Sequence, residues 1–242
     1  MPGELDYVRE NYLRIRAAVE EAALRCGRDP NEITLMAVTK TVEERIILEA
    51  VAAGAACLGE NRVQELERKR EALSKSEAFR SAAPQLHLIG HLQSNKLAKA
   101  VACADMIQSV DSLRLAKALS EHCVKSKNRI SVLLEVNVGA DPAKYGFAPE
   151  QLKEELHEIC QMQGILVRGL MTVPPISGNL RDTAIFFSNL RKLFLDFQCK
   201  KMDNISMEIL SMGMSHDFEV AIAEGATLVR VGSAIFGKRD YR

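Results

Sequence analysis

The segment from ISVLLEVNV (130–138) to ILVRGLMTV (165–173) decides the fold. Both ends are nearly continuous apolar runs rich in β-branched residues, a pattern typical of strands that are covered on both faces. A helical pattern over 149–162 lies between them. A strand, a helix and a second strand in this order predict two parallel strands joined by a crossover helix.

The same alternation continues in both directions along the chain. The other strands are predicted at 33–40, 56–59, 86–89, 106–110, 207–211 and 227–231. The other helices are predicted at 4–26, 42–53, 61–75, 94–102, 112–125, 180–201, 216–223 and near 233–237. Eight strand–helix units behind an N-terminal helix predict an α/β protein, a closed (β/α)8 TIM barrel that spans 1–242 as one domain. A doubly wound open sheet is the alternative.

The composition excludes several classes of protein. Lys and Arg number 32, as do Asp and Glu, so no basic excess points to a nucleic-acid partner. No apolar run approaches the roughly 18 residues of a membrane span, and the charged N-terminus lacks the apolar core of a signal peptide. Six cysteines without CxxC spacing predict reduced thiols in a cytoplasmic protein. His87 and His91 fall on different elements, so we expect no metal site.

Lys40 ends the first predicted strand. In a barrel of this kind, functional groups lie at the carboxyl ends of the strands. A lysine that is partly removed from water loses its charge more readily, and the free amine attacks aldehydes to form a Schiff base. The alternative is a structural lysine whose charged end reaches solvent at the strand edge.

Two loops after the seventh and eighth predicted strands contain glycine and serine. SMGMS (211–215) combines Gly213, suited to a tight turn, with the hydroxyls of Ser211 and Ser215. In VRVGSAIFG (229–237), Gly232 and Ser233 open a short helix. Backbone N–H groups at such positions bind anions, and this fold places its phosphate site after strands 7 and 8. Either loop alone is equally compatible with an ordinary turn, but the pair predicts a phosphate site.

Arg230 and Asn61 are two further candidates. Arg230 lies in the last predicted strand, where a buried guanidinium needs acceptors. A carboxylate such as Glu135 or Glu208 would give it a structural role, and a ring nitrogen of a ligand would give it a binding role. Asn61 follows the second strand and is either the cap of the next helix or a ligand contact.

Nine segments, taken in order, carry a resemblance to a known family. They are AVTK (37–40), GENRVQE (59–65), HLIGHLQSNK (87–96), SVDS (109–112), LLEVNVG (133–139), KYGF (144–147), RGLMTV (168–173), LSMGMSHDFEVAI (210–222) and VRVGSAIFG (229–237). Together they resemble the pyridoxal phosphate homeostasis protein family over nearly the whole chain. Some relatives have Pro in place of His91 and Thr in place of Ser233. The serine keeps the hydroxyl, whereas the role of His91 stays open.

The resemblance implies a fold similar to the N-terminal barrel of alanine racemase, a fold-type III protein, with pyridoxal 5′-phosphate (PLP) held by an imine to Lys40. It implies that Arg230 lies near the pyridine nitrogen and Asn61 beside the ring. It assigns the phosphate to Ser211, Gly213, Gly232 and Ser233. It also implies a role in vitamin B6 homeostasis, in which PLP is held reversibly and is buffered or delivered to PLP-dependent apo-enzymes.

A carrier is expected rather than an enzyme. A guanidinium only donates, so a pyridine nitrogen beside Arg230 lacks a proton and is a poor electron sink. No acid–base pair is evident in the sequence, and Tyr145 is only a weak candidate for a catalytic base. The eight strand–helix units take up nearly all of the 242 residues, so we expect no room for the second domain of racemases. Without that domain we expect a monomer. The alternatives are a PLP-dependent enzyme on amino acids with weak racemase activity, a Schiff-base aldolase for a phosphorylated sugar, and a regulatory module with structural PLP.

Overall fold

The computed structural model describes residues 5–175, 179–200 and 202–237. Eight parallel strands close into a barrel in the order β1 to β8. They are β1 (Thr34–Val38), β2 (Cys57–Glu60), β3 (Gln85–Leu88), β4 (Met106–Val110), β5 (Ile130–Glu135), β6 (Ile165–Met171), β7 (Ile205–Ser211) and β8 (Leu228–Val231). The closed order confirms the predicted (β/α)8 barrel and excludes the open sheet.

Helices surround the barrel in the described part of the chain. They are α1 (Asp6–Arg25), α2 (Glu44–Ala52), α3 (Val63–Leu73), α4 (Glu77–Ala82), α5 (Leu97–Cys103), α6 (Leu113–Lys125), α7 (Pro149–Ile159), α8 (Leu180–Gln198), α9 (Phe218–Ala223) and α10 (Ser233–Phe236). Short 3-10 turns occur at Pro30–Glu32 and Ser94–Lys96. The ends of the predicted helices 4–26 and 180–201 fall on residues 4 and 201, outside the described residues.

Several details differ from the expected pattern: β1 ends at Val38, two residues before the predicted end at Lys40, and β7 begins at Ile205, two residues before its predicted start. The short helix α4 was not predicted, and it follows α3 after a break at Ser74–Ser76. Strands β5 and β6 end at Glu135 and Met171, earlier than their apolar runs suggest. Beyond β5, Val136 pairs with Phe147 in an isolated bridge, so this apolar residue belongs to a loop folded back on the barrel.

The first and last strands close the barrel, and α1 covers the closure. Strands β1 and β8 pair in parallel, with Met36 opposite Arg230. Helix α1 buries one face, which includes Val8, Tyr12 and Ile15, and it packs against α2, α9 and α10. Asn11 donates from its side chain to the carbonyl of Ile235 at 3.1 Å. The N-terminal helix therefore holds α10, at the carboxyl end of β8, in place.

The described ranges contain neither a candidate membrane-spanning helix nor a candidate metal cluster. None of the helices there has the length and apolar character that a membrane crossing requires. Within the same ranges, no group of three or more His, Cys, Asp or Glu side chains is arranged to hold a metal ion. The six cysteines are free thiols, and four of them are buried.

Candidate functional site

A cavity of about 560 Å³ lies at the carboxyl ends of the strands. It is lined by Val38, Lys40, Asn61, Ile89, Val173, Met214, Ser215, His216, Arg230, Gly232 and Ser233. Five of the seven predicted site residues are in this set, namely Lys40, Asn61, Arg230, Gly232 and Ser233. Ser211 and Gly213 are not. The cavity thus unites residues from six strand ends that are far apart in the sequence.

Lys40 and Asn61 enter the cavity from neighbouring strand ends. Lys40 is half-buried two residues beyond β1, and it forms no ion pair with any described residue. Asn61 directly follows β2, but the residue that caps α3 is Arg62, so the interpretation of Asn61 as the helix cap is wrong. Asn61 is instead one of the residues that line the cavity.

The loops after β7 and β8 meet at one end of the cavity. Ser215 Oγ accepts from the Gly232 N–H at 3.4 Å and lies 3.2 Å from Ser233 Oγ. Gly213 has φ +91°, and a Cβ there would lie 2.5 Å from the Cβ of Ala221. This glycine therefore shapes the turn without lining the cavity. The resulting wall of two hydroxyls and an adjacent helix start suits an oxyanion such as phosphate.

Ser215 and His216 line the cavity; the sequence analysis included the Ser215 hydroxyl in the predicted anion loop, but the resemblance to the family assigned neither residue to the ligand. Ser215 was recognised as a hydroxyl of the loop, but the phosphate was assigned to Ser211. Strand β7 ends at Ser211, whose side chain is fully buried inside the barrel. The turn at Gly213, which the sequence already predicts, brings the two residues after Met214 back toward β8, and His216 is the residue that the sequence analysis missed.

Arg230 is buried and bound by neutral acceptors. Its Nη1 donates to Ser211 Oγ at 2.6 Å, and its Nη2 donates to the carbonyl of Thr172 at 2.7 Å. Burial lowers its pKa to about 10, against the opposing charges of Glu135 and Asp217, so it stays a cation at neutral pH. Neither carboxylate named as an alternative structural partner forms an ion pair with Arg230. Glu208 pairs with Arg168 instead, and Glu135 acts on Arg230 through its charge without an ion-pair contact.

A chain of hydrogen bonds continues from Arg230 across the barrel interior. Since the guanidinium only donates, Ser211 accepts from it and donates its own proton to Gln108 Oε1 at 2.7 Å. Gln108 Nε2 then donates to His87 Nδ1 at 2.9 Å, and His87 Nε2 donates to Gln85 at 3.0 Å. Burial lowers the pKa of His87 to about 4, which keeps the ring neutral and able to accept. Every bond in the chain therefore has a fixed direction.

A second group of polar residues lies outside the cavity lining, after β3, β4 and β5. His91 Nδ1 contacts Asp111 Oδ2 at 2.7 Å, and the His91 ring stacks on Tyr145 with centroids 3.7 Å apart. Burial, with a smaller contribution from Asp111, raises the pKa of Glu135 to about 7. Tyr145 is thus stacked on a neighbouring ring rather than directed into the cavity.

The fold and site together define a class of protein. Residues 4–240 match the family model described as the alanine racemase N-terminal domain. The match covers the closed barrel, the lysine after β1 and both loops of the oxyanion wall. The chain is therefore a barrel of the alanine racemase N-terminal type.

Comparison with individual relatives identifies the family within this class to which the chain belongs. The pyridoxal phosphate homeostasis protein of Aquifex aeolicus is 39% identical over 96% of this chain and 98% of its own. A structure of PipY from Synechococcus elongatus with PLP bound superposes with a TM-score of 0.82 at 34% identity, covering 95% and 100% of the two chains. The crystal structure of an unknown protein from Bifidobacterium adolescentis superposes with a TM-score of 0.91 at 35% sequence identity, covering 97% of each chain. The chain belongs to the pyridoxal phosphate homeostasis protein family, which confirms the resemblance seen in the sequence.

Proposed function

We propose that this protein binds PLP through an imine to Lys40, holds it reversibly and so buffers or delivers the cofactor. The observation that carries the proposal is that one cavity contains an amine, a buried cation and an oxyanion wall, at Lys40, Arg230 and Ser215–Ser233. A volume of about 560 Å³ is typical of a site for one small ligand. The relatives named as homeostasis proteins, and PipY with PLP bound, support it.

The residues present fit each part of PLP. The hydroxyls of Ser215 and Ser233 and the adjacent backbone suit the phosphate. Val38, Ile89 and Val173 supply apolar walls for an aromatic ring. Arg230 offers a cation with donors, which suits an unprotonated ring nitrogen. Lys40 supplies the amine.

The anchoring step needs no oxidant and no second substrate. PLP supplies an aldehyde that an amine captures reversibly. Lys40 Nζ, as the uncharged amine, adds to the aldehyde carbon and gives up both of its N–H protons, and the carbonyl oxygen leaves as water. A C=N bond thus replaces the C=O bond. Water would reverse the step and free Lys40. The amine of an acceptor protein would also free it, by forming its own C=N bond to the same carbon while the C=N bond to Lys40 breaks and the two N–H protons pass back to the Lys40 nitrogen.

A second candidate function is catalysis on amino acids, and one observation favours it. His216 lines the cavity and gives it a possible proton carrier besides Lys40. Against this, Arg230 favours an unprotonated pyridine nitrogen, which weakens the electron sink that racemisation needs. We therefore propose the carrier over the enzyme. Turnover of single L-amino acids, followed by chiral analysis, decides between them.

The proposal extends to the state and location of the protein. We propose that 1–242 functions as one cytoplasmic PLP-binding domain, as a monomer, with PLP-dependent apo-enzymes as acceptors. The free thiols are consistent with a reducing compartment. Exposed apolar residues are scattered over α1, α6 and α8, and single residues of this kind are normal on a monomer surface. Sedimentation of the protein with and without PLP tests the oligomeric state.

The direct test is an absorption spectrum of the purified protein before and after borohydride reduction, with mapping of the modified lysine. An imine band that disappears on reduction, with the label on Lys40, is the expected result. A band that persists in Lys40→Ala would contradict the anchor. Transfer of PLP from the loaded protein to an apo-enzyme then tests delivery.

A further inference from the structure

A buried ammonium lies directly behind the strand end that carries Lys40. Lys69, on α3, is only 1% exposed. Its Nζ donates to the carbonyl of Thr39 at 2.6 Å and to Glu60 Oε1 and Glu65 Oε1, each at 2.7 Å. An ammonium has three N–H donors, so every donor of Lys69 is used.

These contacts hold both peptide groups that flank Lys40. The carbonyl of Thr39 belongs to the peptide group before Lys40, and Lys69 fixes it. The N–H of Thr41 belongs to the peptide group after Lys40, and it donates to Glu65 Oε1 at 2.6 Å. Since each peptide group is planar, holding both restrains the two backbone torsions of Lys40 and therefore the direction of its Cα–Cβ bond, from which the side chain starts.

The turn after β1 needs this support. Thr41 has φ +60°, in the left-handed region, which is unusual and costly for a β-branched residue. Its N–H is held by Glu65, and Glu60 accepts from Thr39 Oγ1 at 2.5 Å. The Val42 N–H also donates to the Thr39 carbonyl at 3.0 Å and closes the turn, so the side chains of Lys69, Glu60 and Glu65 add to this backbone bond in restraining Lys40.

We propose that Lys69, together with Glu60 and Glu65, is a positioning group for Lys40, acting on capture of the aldehyde rather than on recognition of the ring and phosphate. None of the three lines the cavity, so they act on a ligand through residues that do, and their hydrogen bonds to Thr39 and Thr41 flank Lys40. The inference rests on the proposed function, in which the Lys40 amine condenses with the aldehyde and releases water.

The test compares two ligands that differ only at the aldehyde. PLP forms the imine, whereas 4′-deoxypyridoxine 5′-phosphate carries a methyl group there and binds without it. Glu65→Ala removes the acceptor of Thr41, and its site is partly exposed, so the fold is expected to persist. We expect about a tenfold or greater loss of PLP affinity and of imine formation rate, with unchanged affinity for the deoxy analogue. Glu65→Gln keeps an acceptor oxygen and should recover most of the rate.

A matched control lies on the same helix. Glu71 pairs with Lys75 at 3.3 Å, with both side chains largely exposed, so Glu71→Ala should leave both ligands unaffected. Equal losses for PLP and the analogue in Glu65→Ala, or no loss for either, would overturn the positioning role. If wild-type protein forms no imine at all, the proposed function fails with it, which separates the two results.

Discussion

Arg230 Nη1 lies 2.6 Å from Ser211 Oγ, and this serine donates its own proton to Gln108. Ser211 is therefore occupied inside the barrel, beneath the cavity. The resemblance to the family implies a phosphate contact for Ser211, whereas the hydroxyl that lies beside Ser233 Oγ in the structure is that of Ser215. The expected contribution of Ser211 is to orient Arg230.

Replacing Ser211 separates these two roles. Ser211→Ala leaves Arg230 Nη1 and Gln108 Oε1 without their shared partner, which should cost about 1–3 kcal/mol of stability. PLP affinity should fall while the affinity for inorganic phosphate stays constant. Urea unfolding and competition titrations with phosphate measure these effects. A selective loss of affinity for inorganic phosphate would instead show that Ser211 contacts the phosphate.

Replacing Ser215 should weaken the phosphate wall. Ser215→Ala removes the hydroxyl that bridges Gly232 and Ser233. We expect PLP affinity to fall about tenfold, as for a lost hydrogen bond to a charged group, and affinity for pyridoxal, which lacks the phosphate, to change little. Parallel titrations of wild type and Ser215→Ala with PLP and with pyridoxal measure the loss of affinity for each ligand. An equal loss for both ligands would show that Ser215 does not act on the phosphate.

Gly213 is restricted by its torsion and by its surroundings. Gly213→Ala combines φ +91° with a Cβ placed 2.5 Å from that of Ala221. Gly27→Ala is a matched control, since Gly27 has φ +68° but no atom within 4 Å of an added Cβ. Strain of the backbone alone costs about 1–3 kcal/mol, so Gly27→Ala should fall in that range and Gly213→Ala above it. Urea unfolding of both variants is the measurement, and equal losses would contradict the steric argument.

Replacing the buried Lys69 should reduce stability far more than replacing Lys75, an exposed lysine just beyond the end of α3. Lys69→Met leaves Glu60 and Glu65 facing each other without a cation, at an expected cost of about 3–5 kcal/mol. Lys75→Met removes only the exposed pair with Glu71 and should cost about 0–1 kcal/mol. Chemical denaturation compares the two. A small loss for Lys69→Met would mean that water reaches the cluster.

Glu135 should make stability fall as the pH rises. Burial raises its pKa from 4.5 to about 7, so between these values the folded state keeps a proton that the unfolded state has lost. His87, with its pKa lowered to about 4, acts in the opposite direction between about 4 and 6.5. The comparison must therefore be made between wild type and Glu135→Gln. The variant should gain stability relative to wild type from pH 4.5 to 7, and a constant difference would contradict the raised pKa.

The barrel could be predicted because each strand–helix unit is a local pattern. The ends of β5 and β6 could not, because apolar residues such as Val136 continue into loops that fold back on the barrel. The same limit applies to the site. Lys40 was predicted from its position at the end of a strand and Arg230 as a charged residue within a strand. The bond between Ser211 and Gln108, in contrast, joins residues 103 positions apart and depends on how the closed sheet sets its register.

The cavity is complete only after β8 has paired with β1, because residues at both strand ends line it. Lys40 precedes Arg230 in the chain by most of the barrel, and only the pairing of β8 with β1 brings the two residues to one cavity. Contacts so distant in sequence form late and slowly. A nascent or truncated chain therefore offers its lysine without the cation or the oxyanion wall. Under the proposed function, retention of PLP reports that the whole barrel has closed, and unfinished chains do not compete for the cofactor.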